Sequence, residues 1–179
     1  MRFAIILAGC GQHDGSETHE VVLTLLSLAQ EKIDWDAFAP DIIQAHVTNH
    51  LTNQIEEGER RHVLKESARL VRGKIKPIAA ANISNYDAII FPGGVGAVSN
   101  LSDWHKAGDD FSFTPAVKSF IDQSIAQKKP MGFVCIAPVM IPKLFKGANL
   151  TIGNDSSLVQ QMESLGANHI NCDATEIVI

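Results

Sequence analysis

Unbroken apolar runs alternate along this chain with stretches whose apolar positions recur every three or four residues. Phe3-Ala4-Ile5-Ile6-Leu7-Ala8 is continuous, as expected for a strand covered on both faces. Gly9-Cys10-Gly11 follows as a turn. Asp14, with Glu17 three residues later, reads as a capping box. The helix it opens carries Val21, Val22, Leu25, Leu26 and Ala29 at helical spacing. Ala37-Phe38-Ala39 predicts a weak second strand closed by Pro40. Arg60 to Val71 predicts a helix with Val63, Leu64, Ala68 and Val71 on one stripe, stopped by Gly73. Tyr86 to Phe91 reads as another buried strand, ending in Pro92-Gly93-Gly94. Thr114-Pro115 opens a helix with Val117, Phe120, Ile121, Ser124 and Ile125 facing inward. Met131 to Val134 is a strand that delivers Cys135. Leu150-Thr151-Ile152 predicts a short strand, Ser157 to Leu165 a short helix stopped by Gly166, and Glu176 to Ile179 the start of a strand.

Strands alternating with helices predict an α/β fold: a three-layer sandwich with a mostly parallel sheet. Right-handed crossovers place helices on both faces, and ligands bind at the carboxyl ends of the strands. Three such ends carry chemistry, after Ala8, after Phe91 and after Val134. Gly94 to Phe113 lacks periodicity and is expected to be a surface excursion near the site. Residues 1–179 read as a single domain.

With 45% hydrophobic and 20% charged residues the chain can bury a full core. A net charge of -5 leaves no footprint for nucleic acid or acidic membranes. Glu56 to Arg61 reads as a solvated helix start. No apolar run approaches the roughly 18 residues that span a bilayer. Leu7-Ala8-Gly9-Cys10 looks like a lipoprotein cleavage box, but the apolar stretch before it is too short for a signal core. Four sequons, at Asn82, Asn100, Asn149 and Asn154, mean little without secretion. The three cysteines, Cys10, Cys135 and Cys172, suggest reduced thiols in a cytoplasm, with neither a disulfide scaffold nor a zinc site.

Cys135 is the strongest chemical candidate. A residue at a strand-to-helix turn points out of the sheet beside a helix N-terminus, which lowers a thiol's pKa and can bind an oxyanion. A lone cysteine is more commonly a buried structural residue, and its place at this turn favours the nucleophile. Glu17, in the first turn of the first helix, is the best acid/base candidate, although its spacing from Asp14 is equally explained by capping. Backbone N–H groups at Gly93, Gly94 and Ile136 are the expected oxyanion donors. Any of His13, His19 and His105 could assist Cys135. Gly9-x-Gly11 hints at dinucleotide binding, but Asp14 stands where glycine or alanine is required. No cofactor or metal is expected.

Gly9 to Glu20, Phe38-Ala39-Pro40-Asp41, Asn49-His50-Leu51-Thr52, Pro92-Gly93-Gly94 and Gly132-Phe133-Val134-Cys135-Ile136-Ala137-Pro138 together resemble the ThiJ/PfpI superfamily. Within it they are most similar to the ElbB branch, once called isoprenoid or enhancing lycopene biosynthesis proteins. The resemblance implies a flavodoxin-like fold shared with class I glutamine amidotransferases. It implies a homodimer and a cofactor-independent glyoxalase that turns glyoxal, a small aldehyde, into a 2-hydroxy acid, with protein deglycase activity behind it. The conserved cysteine falls on Cys135 and its acidic partner on Glu17. Many superfamily members carry histidine after the cysteine where Ile136 stands here, which weakens a protease reading. Family members also run some tens of residues further, so a final strand and helix are expected to be missing. The competing expectation is a regulatory protein that uses Cys135 oxidation as a switch, with little turnover.

Overall fold

The apolar runs become parallel strands because their alternate side chains are buried on two different faces. The computed structural model describes residues 1–173 and 175–179. Its strands are β1 (Arg2–Ile6), β2 (Asp34–Ala39), β3 (Thr48–Asn49), β4 (Gln54–Ile55), β5 (Ile75–Pro77), β6 (Ala88–Phe91), β7 (Met131–Phe133), β8 (Asn149–Leu150) and β9 (Asn168–His169). Its α-helices are α1 (Thr18–Gln30), α2 (Val63–Leu70), α3 (Val95–Ser99), α4 (Trp104–Ala107), α5 (Pro115–Ala126), α6 (Ile141–Leu144) and α7 (Ser156–Ser164). The central sheet has five strands in the order β5-β2-β1-β6-β7, every neighbouring pair parallel.

Side chains alternate along a strand. Ala4, Ile6, Phe38, Ile89 and Phe91 therefore share one core with Val117, Phe120 and Ile121 of α5. Ile5, Leu7, Ala37 and Ala39 share the other with Val21 and Leu28 of α1 and Val63 of α2. The molecule is thus a helix–sheet–helix sandwich of α/β class, as its hydrophobic pattern predicts. Parallel order carries β1, β6 and β7 to the same end of the sheet, where their carboxyl ends meet.

Several boundaries differ from the pattern. α1 begins at Thr18 with Glu17 as its cap, three residues later than the Asp14 cap predicts. Asp14 is buried instead, and its Oδ2 accepts the Thr48 N–H at 2.8 Å. β2 is longer than expected because Asp34 and Asp36 at its amino end mask a strand that pairs on both sides. α2 starts at Val63, and Glu56 to Arg61 is exposed non-helical chain apart from half-buried Arg61. The segment 94–113 is not a surface excursion: Ala97, Val98, Leu101 and Phe111 are core residues, and α3 and α4 are too short to show a period. β8 pairs with β9 in a separate ribbon, and Glu176–Ile179 forms no strand.

Candidate active site

Cys135 stands two residues past the end of β7 with φ of 57°. That left-handed conformation is unusual for a side-chain-bearing residue and costs on the order of 1–3 kcal/mol. Val134 N–H donates to Phe91 O at 3.0 Å, and Ala137 N–H donates back to Val134 O at 3.0 Å. These bonds hold the reversal, while Phe133 stacks on Phe91 with ring centroids 4.9 Å apart. The chain then enters a 3-10 turn at Ala137–Met140 with Pro138 near its start, so Cys135 is lifted out of the sheet. The residue is solvent-exposed. Burial, and then the hydrogen bond and charge of Glu20, push the Cys135 thiol up from its ordinary value. The N–H groups of Gly94 and Ile136 oppose that rise without cancelling it. The sequence predicts a lowered thiol, and the direction reverses chiefly because the thiol is partly buried, and further because a carboxylate, not a cation, lies near the sulfur.

That carboxylate belongs to Glu20, not Glu17. Glu17 caps α1: its Oε2 accepts the Glu20 N–H at 2.8 Å, and its Oε1 pairs with His19 Nδ1 at 2.8 Å. Burial pushes the Glu17 carboxyl up, but the bonds from His19 and the Glu20 N–H outweigh it and hold it below its usual value. One turn further in, Glu20 Oε2 accepts the Gly93 N–H at 2.8 Å. A Cβ on Gly93 would stand 2.5 Å from Cys135 Cβ and 2.7 Å from Glu20 Oε2, so only glycine leaves room for the pair. Gly93 was expected as an oxyanion donor, but Glu20 occupies its N–H. The Gly94 and Ile136 N–H groups instead lower the Cys135 thiol. The signal for Glu20 is present in Glu17-x-x-Glu20, which has the same capping spacing as Asp14-x-x-Glu17. Sequence alone does not decide between the two frames.

The turn that feeds α1 is tied down by glycines and buried polar groups. Glu17 N–H donates to Gly93 O at 2.9 Å, and Gly96 N–H to Gly15 O at 2.9 Å. Within the turn, Gly11 N–H donates to Ser16 O and Gly15 N–H to Gly11 O, so these donors face inward and are taken. His13 packs against His50 with centroids 4.9 Å apart, and His46 against His105 at 5.5 Å. The His13 N–H donates to His50 Nε2 at 3.2 Å, His46 Nε2 pairs with His13 O at 3.2 Å, and His19 is turned to Glu17. Asn100, in one of the four sequons, is 2% exposed and cannot be reached for glycosylation. Among the described residues, no three His, Cys, Asp or Glu side chains are placed to hold a metal, and no helix is long and apolar enough to cross a membrane. A cleft of about 640 Å³ lies away from the thiol, between the end of α1 and the amino ends of β2 and β5.

The chain is 39% identical over 184 residues to a Rattus norvegicus protein named ES1 protein homolog, mitochondrial, covering 98% of this chain and 69% of that one. It is 39% identical over 177 residues to the Homo sapiens glutamine amidotransferase-like class 1 domain-containing protein 3, mitochondrial, covering 94% and 66%. Among solved structures it matches an isoprenoid biosynthesis protein with an amidotransferase-like domain from Ehrlichia chaffeensis. That match has a TM-score of 0.86 and 33% identity, and covers 96% of this chain and 80% of that one. A DJ-1 superfamily protein from Salmonella typhimurium shares the fold alone, with a TM-score of 0.60, 18% identity and coverage of 98% and 76%. No protein-family model matches the chain. The expectation of a cytoplasmic protein does not stand, because the curated relatives are named as mitochondrial. Unpaired cysteines report reducing conditions and not a particular compartment.

Proposed function

The chain belongs to the family of the ES1 and glutamine amidotransferase-like class 1 proteins, and on that premise we propose that it is a cofactor-independent glyoxalase acting through Cys135. One observation carries the reading: an exposed thiol at a left-handed turn, with Glu20 Oε2 held on the Gly93 N–H and packed with Cys135 Cβ against the same glycine. The raised thiol pKa supports general-base activation, in which Glu20 removes the S–H proton as sulfur attacks.

The steps balance without a redox cofactor. The sulfur adds to one aldehyde carbon of glyoxal, and the proton held by Glu20 passes to the new alkoxide, giving a hemithioacetal. Gly94 and Ile136 N–H groups hold that oxygen as its charge develops. Glu20 then takes the hemithioacetal C–H proton, and the electron pair forms an enediolate with the neighbouring carbon, whose carbonyl oxygen takes the negative charge. Return of that proton to the neighbouring carbon, with transfer of the first carbon's hydroxyl proton to the neighbour's oxygen, leaves an alcohol there and a thioester at the first carbon. Water cleaves the thioester, releasing glycolate and the free thiol. Deglycation of proteins would use the same addition to a bound carbonyl compound.

Glycolate formation from glyoxal without glutathione is the direct test, and its persistence in Cys135→Ser would end the proposal. The competing reading is a redox sensor. Sulfenic or sulfinic acid at Cys135 by mass spectrometry, together with negligible glyoxal turnover, would favour it. We further propose a homodimer, supported by Val22, Leu23 and Leu26 of α1, each half-exposed or more. The names of the curated relatives support a mitochondrial setting.

A further inference from the structure

The geometry points to Asn100 as a positioning residue for the carboxylate that serves Cys135. Asn100 follows α3 and is fully buried. Its Nδ2 donates to Ala8 O at 2.7 Å and to Asp14 O at 2.9 Å, and its Oδ1 accepts the Ala45 N–H at 2.9 Å. Both donors and one acceptor site of a single amide thus join three chain segments: the end of β1, the turn before α1, and the segment after β2. Gln44 adds a weaker tie, its Nε2 donating to the same Asp14 O at 3.1 Å. Val95 N–H donates to Gln12 O at 2.7 Å, so α3 and Asn100 grip the turn at both of its flanks.

The consequence for the site follows from the chain path. The turn ends at Glu17, whose N–H is fastened to Gly93 O, and α1 starts there. Glu20 lies one helical turn on, and its bond to the Gly93 N–H is only as well placed as the helix that bears it. Fixing Asp14 O against Ala8 O therefore sets where α1 enters and how closely Glu20 meets the thiol. A shift of about 1 Å in such a group is enough to lose much of its effect. The inference rests on the reading of Glu20 given above.

The test is the pH profile of Cys135 alkylation by iodoacetamide, resolved by mass spectrometry from Cys10 and Cys172. Glu20→Gln removes the charge that raises the thiol and moves the profile to lower pH. Asn100→Ala is expected to move it at least halfway to the Glu20→Gln position. It also lowers kcat for glyoxal by roughly tenfold or more, with KM changed less than about threefold. Asn100→Asp keeps the volume and the Ala45 bond but sets acceptors against two carbonyls, and it is expected to act at least as strongly. Ser124→Ala, which deletes a buried hydroxyl bond to Phe120 O inside α5, provides a control that lowers stability and leaves the profile in place. If Glu20→Gln does not move the profile, the Glu20 reading itself falls. If Glu20→Gln moves it and both Asn100 variants do not, the positioning role is overturned while Glu20 stands.

Discussion

At the residue scale the site depends on two carboxylates three positions apart that do different work. Glu17 caps the start of α1 and Glu20 lies by the thiol, so their glutamine variants are expected to separate. Glu20→Gln should lower glyoxal turnover by about 10²–10⁴-fold, the usual range for losing a general base. Glu17→Gln keeps an oxygen for the cap and should stay near the parent rate; steady-state glycolate assays decide. Gly93→Ala should abolish turnover and cost about 1–3 kcal/mol, because its methyl would lie 2.5 Å from Cys135 Cβ and 2.8 Å from Val134 O. Thermal unfolding beside the glyoxal assay reads both effects. Cys135 was legible because strand, turn and Pro138 are consecutive in sequence. Glu20 was not, since either capping frame satisfies the same spacing, and the burial of Asp14 decides between them.

At the element scale, α1 both carries the acid and is capped by its neighbour. Glu17→Ala removes the side-chain bond to the Glu20 N–H and should cost about 1 kcal/mol, read as a lower denaturant midpoint at unchanged slope. A second prediction belongs to the junction of β1, β2 and β6. The single tyrosine, Tyr86, donates to Asp36 Oδ2 at 2.9 Å, and Asp36 also pairs with Arg2 at 2.9 Å. Burial, then the Asp36 bond and charge, push the Tyr86 phenol up to about 12. A phenol raised on folding stabilises the fold below its unfolded value of about 10 and loses that contribution as pH rises through its folded value. Stability should therefore fall between about pH 10 and 12. Phenolate absorbance reports this residue alone, and Tyr86→Phe should remove that step. Helix α5 was readable because its stripe repeats over 12 residues. The short helices α3 and α4 were not, since one turn contains no period to detect.

At the scale of the whole molecule, the homodimer proposal turns on the exposed face of α1. Val22, Leu23 and Leu26 are 50%, 58% and 50% exposed. If that face is covered by a second copy, Leu23→Glu should shift the protein from dimer to monomer in sedimentation velocity. A parent protein that is already monomeric at micromolar concentration would remove the dimer proposal. By itself the sequence determined the layering and the thiol's exit point, because strand alternation, helical stripes and a strand-to-turn junction are written in neighbouring residues. Only the tertiary structure decided which carboxylate meets the thiol and which N–H groups remain free for an oxyanion. Glu20, Gly93 and Cys135 lie on three separate segments, and parallel strand order alone brings their ends together.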